Sequence, residues 1–290
     1  RHPELVEGRN VQCEIINADS RQLYRGLDIG TAKVTKEEMQ GVKHHLIDVL
    51  DPDEEATAGW YQQEAIEVIK EIEAKEDIPI LVGGSMLYVS SIIDNLTMAP
   101  VPDSKLRERL INEYDHDSGK TLYERLKKID PESAENIHLN NKPRLVRAVE
   151  IFELTEKPKA EVIPNDELRK GNKIEQKLCT TVEDPLLFGI TRSREEIVER
   201  INQRTKVMIE SGWLDEVQQL LERGYGIDDP GMKSCGYREI IRYLSDGIPD
   251  SLEELQEIIS AKSRQYARRQ MSWWKNDSRI QWIDSSIMRS

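Results

Sequence analysis

The sequence has few cysteines, no long apolar run and no net positive charge, and each shortage excludes a class of protein. Its three cysteines, Cys13, Cys179 and Cys235, lie far apart without CxxC spacing, which argues against a zinc finger or a disulfide framework and fits a reducing compartment. No apolar run is long enough to span a bilayer, and residues 1–12, RHPELVEGRNVQ, lack the apolar stretch of a secretory signal. We therefore expect a cytoplasmic protein without membrane contact.

The charge is acidic overall, with a basic exception near the C-terminus. A net charge of −13 and a pI of about 5.1 argue against general nucleic-acid binding. Residues 262–275 nevertheless contain no acid and five basic residues, which are Lys262, Arg264, Arg268, Arg269 and Lys275. This stretch is either a solvated helix face or, because Tyr266, Trp273 and Trp274 lie between the charges, a surface for RNA. The same aromatic residues would equally dock the helix on the core.

The first hundred residues alternate between strand-like and helix-like patterns. Short apolar runs predict strands at residues 13–16, 45–50 and 78–84, and the continuous apolar run of the third is typical of an interior strand of a parallel sheet. Apolar residues at helical spacing predict helices at residues 60–74 and 85–94. Alternating strands and helices imply a parallel α/β core with right-handed connections.

A helical segment interrupts this core. Two close prolines in MAPVPD, around residue 100, predict a domain boundary. Residues 104–154 are helical in pattern, with polar breaks near 115–120 and 137–143. Residues 157–184 are polar and poorly periodic, as in a long connection. We therefore expect a helical insertion at residues 100–184.

The core then resumes, which makes it discontinuous. A return strand is predicted at residues 186–190. Four helices and a short strand follow, at residues 194–211, 214–223, 236–245, 251–275 and 281–283. The 290 residues suffice for one large domain or two modest ones, and we assign residues 1–99 and 185–290 to the α/β core.

Polar side chains follow two of the predicted strands, where an open parallel sheet binds its ligands. Asp19 follows the first strand, and a carboxylate there can accept a proton from a weakly nucleophilic group. The spacing alone favours a simpler role for Asp19, which is to cap the following turn. Gly83 and Gly84 allow close approach of a ligand, and Ser85 at a helix N-terminus donates to an anion. The same three residues would also form a plain tight turn.

Pairs of arginines lie at helical spacing elsewhere. Arg144 and Arg147 are three residues apart, and Arg200 and Arg204 are four apart, which suits a phosphate backbone. Surface ion pairs, for example with Glu150, are the alternative. The residues KSCGYR, at 233–238, form a predicted loop that enters a helix and offers N–H groups, a phenol and a cation.

Six stretches occur in order along nearly the whole chain, from about Cys13 to Ile283. They are INADSRQLYRGLDIGTAK, PILVGGSMLY, NNKPRLVRAVEIFELTEKP, ERINQRTKVMIESGWLDEVQQLL, CGYREI and RQYARRQMSWWKND. This ordered set resembles the tRNA dimethylallyltransferases, also called tRNA isopentenyltransferases. The resemblance implies a P-loop-kinase-like α/β core, built on a parallel sheet, with an inserted all-helical tRNA-binding domain. It also implies transfer of a dimethylallyl group from its diphosphate to N6 of the adenosine 3′ to the anticodon, with Mg²⁺ assisting.

The resemblance further implies roles for individual residues. Asp19 matches the general base of the family, Ser85 stands where the family usually has threonine, and Arg204 matches the arginine that steadies the diphosphate. Lys33, Gly83 and Gly84 are also expected near the diphosphate. Contacts with tRNA are implied for Asp19, Ser85, Ser20, Arg21, Gln22, Arg107, Pro143, Arg144, Leu145, Val146, Arg147, Met232, Lys233, Ser234, Cys235, Gly236, Tyr237, Arg238, Arg268, Arg269 and Gln270. No residue is named as a metal ligand. The expected partners are a tRNA anticodon stem-loop and dimethylallyl diphosphate, and the expected state is a monomer.

The sequence departs from the family pattern near its N-terminus. The family opens with a strand and a glycine-rich phosphate loop of the GxTxxGKT kind, which holds the diphosphate and helps to bind Mg²⁺. Residues 1–12 are unlike that loop. We expect an enzyme shortened at its N-terminus. The alternatives are a tRNA-binding protein without catalysis and a prenyltransferase of free adenine nucleotides, and the long insertion and basic C-terminal helix count against the latter.

Overall fold

The structure, a computed structural model, describes residues 11–94, 96, 100, 103–162 and 185–285. Contacts divide the chain into two compact units. The first, here called the sheet unit, comprises Arg1–Ala56, Trp60–Val89 and Thr181–Ser290, and the second, the helical unit, comprises Thr57–Gly59 and Ser90–Thr180. The boundaries expected from the sequence, at 99/100 and 184/185, fall beside residues 97–99 and 163–184, which lie outside the described residues, and they stay predictions.

A parallel three-stranded sheet forms the start of the sheet unit. Strand β1 (Cys13–Asn17) lies between β2 (His44–His45) and β3 (Ile78–Val82), in the order β2-β1-β3. Cys13 pairs with Ile78 and Asn17 pairs with Val82, so β1 and β3 end at the same edge of the sheet. The turns that follow both strands are therefore neighbours, which is the arrangement that the parallel α/β prediction requires.

Two helices follow these strands. Helix α1 (Ala58–Ala74) buries Tyr61, Ala65, Ile69 and Ile72, whose spacing of three and four residues defines one apolar face. The Tyr61 hydroxyl donates to the Asn17 carbonyl at 3.0 Å, which ties α1 to the end of β1. Helix α2 (Met86–Ile93) begins one residue after Ser85 and carries Tyr88, whose ring stacks on Tyr61 with centroids 4.0 Å apart.

The prediction of a strand at residues 45–50 was wrong except at its first residue, His45. Strand β2 is two residues long, because Leu46 and Asp48 have positive φ angles of 57° and 54°, which a strand cannot accommodate. The segment bends back toward the residues after β1. Val49 N donates to Leu23 O at 2.8 Å, and Leu50 forms an isolated parallel bridge with Tyr24.

Strand β3 also differs from its prediction as an interior strand. Within the described residues it pairs with β1 on one side and has no strand on the other. Ile78, Ile80 and Val82, which share one face, are 44%, 40% and 50% exposed. Strand β4 (Leu187–Thr191) pairs in parallel with β5 (Ile280–Asp284) and exposes Phe188 and Ile190. We call these five apolar side chains on β3 and β4 the open strand faces.

In the described part of the sheet unit, four further helices follow. They are α8 (Arg194–Glu210), α9 (Trp213–Glu222), α10 (Tyr237–Asp246) and α11 (Leu252–Trp274), with a 3₁₀ turn at Gly231–Lys233. The hydroxyls of Ser193 and Ser251 cap α8 and α11 by accepting from the N–H groups of Glu196 and Glu254. Helix α11 packs along α8, and these helices confirm the positions that apolar spacing predicts to within about two residues.

The helical unit contains α3 (Ser104–Asp117), α4 (Lys120–Ile129), α5 (Pro131–Asn136), α6 (Lys142–Thr155) and α7 (Lys159–Val162). The helix breaks near 115–120 and 137–143 are confirmed, and Asp130, which caps α5 through Ser133 N, adds another. A buried apolar cluster that includes Leu110, Leu126 and Leu145 joins α3, α4 and α6. Most of the polar connection expected at residues 157–184 lies outside the described residues.

Among the helices of the described residues, none is both long and apolar enough to cross a membrane.

A cluster of charges stabilises the start of β1. The buried Glu14 carboxylate accepts from Lys75 Nζ at 2.9 Å, contacts His45 Nε2 and lies 3.3 Å from Lys43 Nζ. The hydrogen bond from Lys75, followed by that from His45, lowers the pKa of Glu14 from 4.5 to about 2. The ionised carboxylate therefore favours the folded state above pH 4.5, and this contribution is lost as the pH falls from 4.5 toward 2.

We expect Glu14→Gln to lower the free energy of unfolding at pH 7 and to cost progressively less below pH 4.5. Urea unfolding of both proteins between pH 2.5 and 7 measures this difference. Glu67→Gln is the matched control, since Glu67 forms an exposed pair with Lys70 on α1. A Glu14→Gln effect that stays constant over this range would contradict the lowered pKa.

Candidate active site

The turn after β1 holds Asp19 in a fixed position. Asn17 closes this turn, because its Nδ2 donates to Asp19 O at 3.1 Å and to Leu46 O at 2.8 Å, while its Oδ1 accepts from Asp19 N at 2.9 Å. Asp19 Oδ1 in turn accepts from Arg21 N at 2.8 Å. The capping role that the spacing of Asp19 favours is thus present, and one carboxylate oxygen takes part in it. The sequence analysis missed Asn17, although a buried polar residue at the end of a strand signals such a role.

The turn after β3 brings Ser85 against the turn that carries Asp19. Ser85 Oγ accepts from Ser20 N at 2.8 Å and donates to Ser20 Oγ at 3.0 Å, and Ser85 N donates to Ala18 O at 3.1 Å. A Cβ at Gly83 would lie 2.2 Å from the carbonyl carbon of Ala18, so this approach requires glycine. The structure therefore brings Asp19, Ser20 and Ser85 together, as the sequence predicts.

The surroundings of Asp19 favour uptake of a proton. Burial raises the pKa of the Asp19 carboxyl above 3.8, while the Arg21 N–H group and the charges of Arg21 and Arg204 oppose this rise. The effect of Arg204 shows that α8 brings its guanidinium within electrostatic reach of Asp19. A carboxylate with a raised pKa is a better proton acceptor than an ordinary surface aspartate, which is the property that a general base needs.

Helix α11 contacts the Ser85 turn directly. Gln270 Nε2 and the Tyr266 hydroxyl both donate to Gly84 O, at 2.8 Å and 3.2 Å. The Arg269 guanidinium lies 5.7 Å from the centre of the Tyr266 ring. A Cβ at Gly84 would meet Gln270 Nε2 at 2.0 Å, so a larger residue there would displace the Gln270 amide from its bond to Gly84 O. Contact of Gly83 and Gly84 with a diphosphate stays a prediction.

Five exposed arginines and lysines of the sheet unit have no side-chain partner among the described residues. Among the described residues, no hydrogen bond or ion pair engages the side chains of Arg200, Arg204, Lys233, Arg238 and Arg268, all of which are exposed. Within the basic stretch at residues 262–275, some cations have protein partners and others have none in the part of the chain that the structure describes. Lys262 pairs with Glu239, and Arg264 contacts Asn202 and Glu257, whereas Arg268 is free to meet an anion. For the exposed Arg268, Arg269 and Lys275, a solvated helix face and an RNA-binding surface both stay open.

The predicted RNA-contacting segment 232–238 is exposed at three of its seven positions. Lys233, Cys235 and Arg238 are exposed, whereas the other four residues, Met232, Ser234, Gly236 and Tyr237, are buried. Direct contact of this segment with RNA stays a prediction. The three exposed side chains are the ones that RNA could reach without a change of structure.

In the helical unit, the predicted tRNA-contacting residues of α6 are likewise partly exposed and partly buried. Pro143 and Arg144 are exposed, whereas Leu145 and Val146 lie in the core of the unit. The buried Glu150 carboxylate binds Arg107 at 2.8 Å and Arg147 at 2.5 Å. Contact of this helix with tRNA stays a prediction, for which Pro143 and Arg144 offer the accessible surface.

Lys33 lies in a different setting from that expected of a diphosphate ligand. Its side chain is 6% exposed, and Nζ donates to Tyr24 O at 2.7 Å, Asp28 Oδ1 at 2.6 Å and Asp48 Oδ1 at 2.5 Å. These three bonds use all the donors of an ammonium group. A diphosphate contact by Lys33 stays a prediction, and it would require one of these bonds to be replaced.

The described side chains near Asp19 are too few to bind a metal ion by themselves. Within the described ranges, no group of three or more His, Cys, Asp or Glu side chains could hold a metal. Mg²⁺ commonly binds through one or two protein oxygens together with waters and substrate phosphates. The Ser85 and Ser20 hydroxyls fit an ion of that kind, most of whose ligands would be waters and phosphate oxygens.

Over the described residues, the fold and the site define an α/β protein in which the Asp19 carboxylate, with a raised pKa, lies at the carboxyl ends of parallel strands within electrostatic reach of Arg204. The sequence matches the family described as IPP transferase over residues 22–277, and the chain belongs to that family. It is 40% identical to the tRNA dimethylallyltransferase of Acetivibrio thermocellus over 272 residues, which is 93% of this chain and 83% of the relative. It is 42% identical to that of Staphylococcus carnosus over 281 residues, 95% of this chain and 84% of the relative.

Solved structures show the same fold. A tRNA isopentenylpyrophosphate transferase from Bacillus halodurans superposes with a TM-score of 0.63 and 36% identity, covering 93% of this chain and 81% of that one. A eukaryotic dimethylallyltransferase acting on tRNA superposes with a TM-score of 0.73 and 25% identity, covering 95% of this chain and 68% of that one. The fold and the family expected from the sequence are therefore confirmed.

Proposed function

We infer that this protein is a tRNA prenyltransferase, which transfers a dimethylallyl group from dimethylallyl diphosphate to tRNA. Membership of the family supports the activity, since the relatives described above carry the name tRNA dimethylallyltransferase. The observation that carries the proposal for this chain is the joint position of Asp19 and Ser85 at the edge where β1 and β3 end. We propose N6 of the adenosine 3′ to the anticodon as the acceptor, in line with the sequence resemblance.

Asp19 is the proposed general base. An exocyclic adenine amine is a poor nucleophile, so its attack benefits from a group that removes a proton as the new bond forms. The N6–C1 bond to the allylic carbon forms while the C1–O bond to the diphosphate breaks. The Asp19 carboxylate accepts the N6 proton, and the diphosphate leaves with the electron pair of the broken bond. The bond from Arg21 N holds the carboxylate, and the bonds of Asn17 hold the Asp19 backbone, in position for this step.

Arg204 and Ser85 are the proposed partners of the leaving diphosphate. Negative charge builds on its bridging oxygen as the C1–O bond breaks, and a fixed cation and a hydroxyl donor stabilise that charge. Arg204 has no protein partner to compete for its guanidinium among the described residues, and Ser85 Oγ can turn its proton from Ser20 toward an oxygen of the ligand. Bound Mg²⁺ would neutralise part of the diphosphate charge, next to the Ser85 hydroxyl.

Exposed cations form the proposed tRNA-binding surface of the sheet unit. Lys233, Arg238, Arg268 and Arg269 are exposed, and such groups bind phosphates without reading the sequence. The target base has to leave the anticodon stack before it can react, and the half-exposed Tyr266 ring beside Ser85 offers a surface on which a base can stack. We further propose that the protein acts as a monomer, since a single chain carries all these residues, and in the cytoplasm, since its three separated cysteines fit a reducing compartment.

The test uses an anticodon stem-loop, dimethylallyl diphosphate and Mg²⁺. We expect the mass of the stem-loop to increase by one dimethylallyl group, and its binding to weaken as salt is added, with a linear fall of log K against log salt concentration. Binding without transfer would support a catalytically silent tRNA-binding protein instead. Competition by AMP as strong as that by the stem-loop would indicate an enzyme of free nucleotides. The oligomeric state follows from light scattering during gel filtration.

A further inference from the structure

Glu216, on α9, accepts hydrogen bonds from an entire turn of backbone. Its Oε2 accepts from Asp28 N at 2.9 Å and Ile29 N at 2.7 Å, and its Oε1 lies 3.3 Å from Gly30 N. The Tyr237 hydroxyl donates to the same Oε1 at 2.6 Å. A carboxylate with four donors is held firmly, because charge-assisted hydrogen bonds are about twice as strong as neutral ones. The proposed chemistry does not use this residue.

Trp213, one turn earlier on α9, packs between the two segments that Glu216 joins. A Cβ at Gly30 would lie 2.0 Å from Trp213 Nε1, and a Cβ at Gly236 would lie 2.0 Å from Trp213 Cη2. The Trp213 ring is buried and meets the Tyr237 ring edge-on, with centroids 5.6 Å apart. Helix α9 is thus wedged between the loop at residues 28–33 and the start of α10.

The loop at residues 28–33 in turn orients Gln22, a predicted tRNA contact. Gln22 Nε2 donates to Thr31 O at 3.3 Å and to Ala32 O at 3.2 Å. Since both neighbours are carbonyls, the amide orientation is determined, and Oε1 is left as an acceptor without a partner among the described residues. Lys33 holds the same loop from the other end through Asp28 and Asp48.

We propose that Glu216 is a positioning residue for RNA binding. It fixes the loop at residues 28–33, and hence the Gln22 amide, relative to the start of α10, which carries Arg238 just after the exposed Lys233 and Cys235. The ligand that this arrangement fits is a single-stranded nucleic acid, whose phosphates meet the cations and whose N–H or 2′-hydroxyl group meets Gln22 Oε1. This inference rests on the proposed function and extends it to a residue outside the reacting atoms.

The test compares binding of the labelled stem-loop to the full chain and to Glu216→Gln. The substitution keeps the size of the side chain but removes the charge that four donors share, so we expect a roughly tenfold increase in Kd. We also expect faster hydrogen exchange at the amides of residues 28–30. The charge control is Glu222→Gln, an exposed position on the same helix, which should leave Kd within about twofold.

A second control separates positioning from general stability. Ile72→Val removes one buried methyl group from α1, and it should lower Tm while leaving Kd unchanged. If Glu216→Gln behaves like Ile72→Val, Glu216 only stabilises the fold and the inference is overturned. Should Glu216→Gln fail to fold, Lys33→Met loosens the same loop from its other end, and unchanged binding by that variant would overturn the inference equally. Absence of salt-sensitive binding by the unaltered chain would refute the proposed function itself.

Discussion

Replacing Asp19 with asparagine is expected to slow prenyl transfer by about 10²–10⁴-fold, the contribution typical of a positioned general base. Asparagine keeps the oxygen that accepts from Arg21 N, so the turn should retain its shape. Binding of the stem-loop should therefore change by less than about threefold. Single-turnover transfer to the stem-loop measures the rate, and anisotropy measures binding. Asp51→Asn, at an exposed residue that pairs with Arg25, serves as the control.

The pH profile gives this prediction a sharper form. Because burial raises the pKa of Asp19, the protonated carboxyl persists to higher pH than in an ordinary aspartate, and only the ionised form can accept the N6 proton. The transfer rate should increase tenfold per pH unit below that pKa and become constant above it. Asp19→Asn should abolish this rising limb. A variant that is slow but keeps the same limb would assign the base to another group.

Replacing Arg204 with alanine is expected to slow transfer by about 10²–10³-fold, the loss typical of one group that stabilises developing charge. The guanidinium has no ion-pair partner in the described part of the chain, so its removal breaks no ion pair and Tm should stay nearly constant. Arg204→Lys should recover part of the rate, because it restores the charge without the planar fork. Single-turnover transfer at saturating dimethylallyl diphosphate measures these rates.

Arg204 also affects Asp19, which provides a second readout. The positive charge of Arg204 lowers the pKa of Asp19, so Arg204→Ala should move the rising limb of the pH profile to higher pH. Arg194→Ala, an exposed residue in the first turn of the same helix, should change neither the rate nor the profile. If Arg204→Ala weakened stem-loop binding alone, Arg204 would belong to the RNA surface and not to the diphosphate.

The sequence predicted those features that depend on local pattern. Apolar spacing located α8 to α11, and the order strand, polar turn, helix placed Asp19 and Ser85 at one edge of a parallel sheet. Prediction from the sequence failed where long-range contacts determine the backbone conformation. The positive φ angles at Leu46 and Asp48 arise in a segment whose carbonyls and N–H groups bond to Asn17, Gln22 and Leu23, and nothing in HLIDVL indicates them.

Side-chain roles were harder to predict than strands and helices, for a related reason. The sequence shows that Lys33 is a cation, but not that Asp28, Asp48 and a carbonyl surround it. Glu216 is one acid among many in an acidic chain, and its importance lies in four donors from two distant segments. Helical spacing likewise did not show which residues of α6 face the solvent. The core of the helical unit shows that Leu145 is buried and Arg144 is exposed.

The open strand faces have a consequence for the colloidal behaviour of the protein. Ile78, Ile80, Val82, Phe188 and Ile190 present β-branched and aromatic surface on strands that, within the described residues, each pair on one side, and such surface is a common starting point for self-association. At low ionic strength, the net charge of −13 keeps molecules apart by mutual repulsion. Salt screens that repulsion, and sulfate also strengthens apolar contact. The same increase in ionic strength should therefore weaken RNA binding and promote self-association. Solubility and RNA affinity should decline together as salt is added.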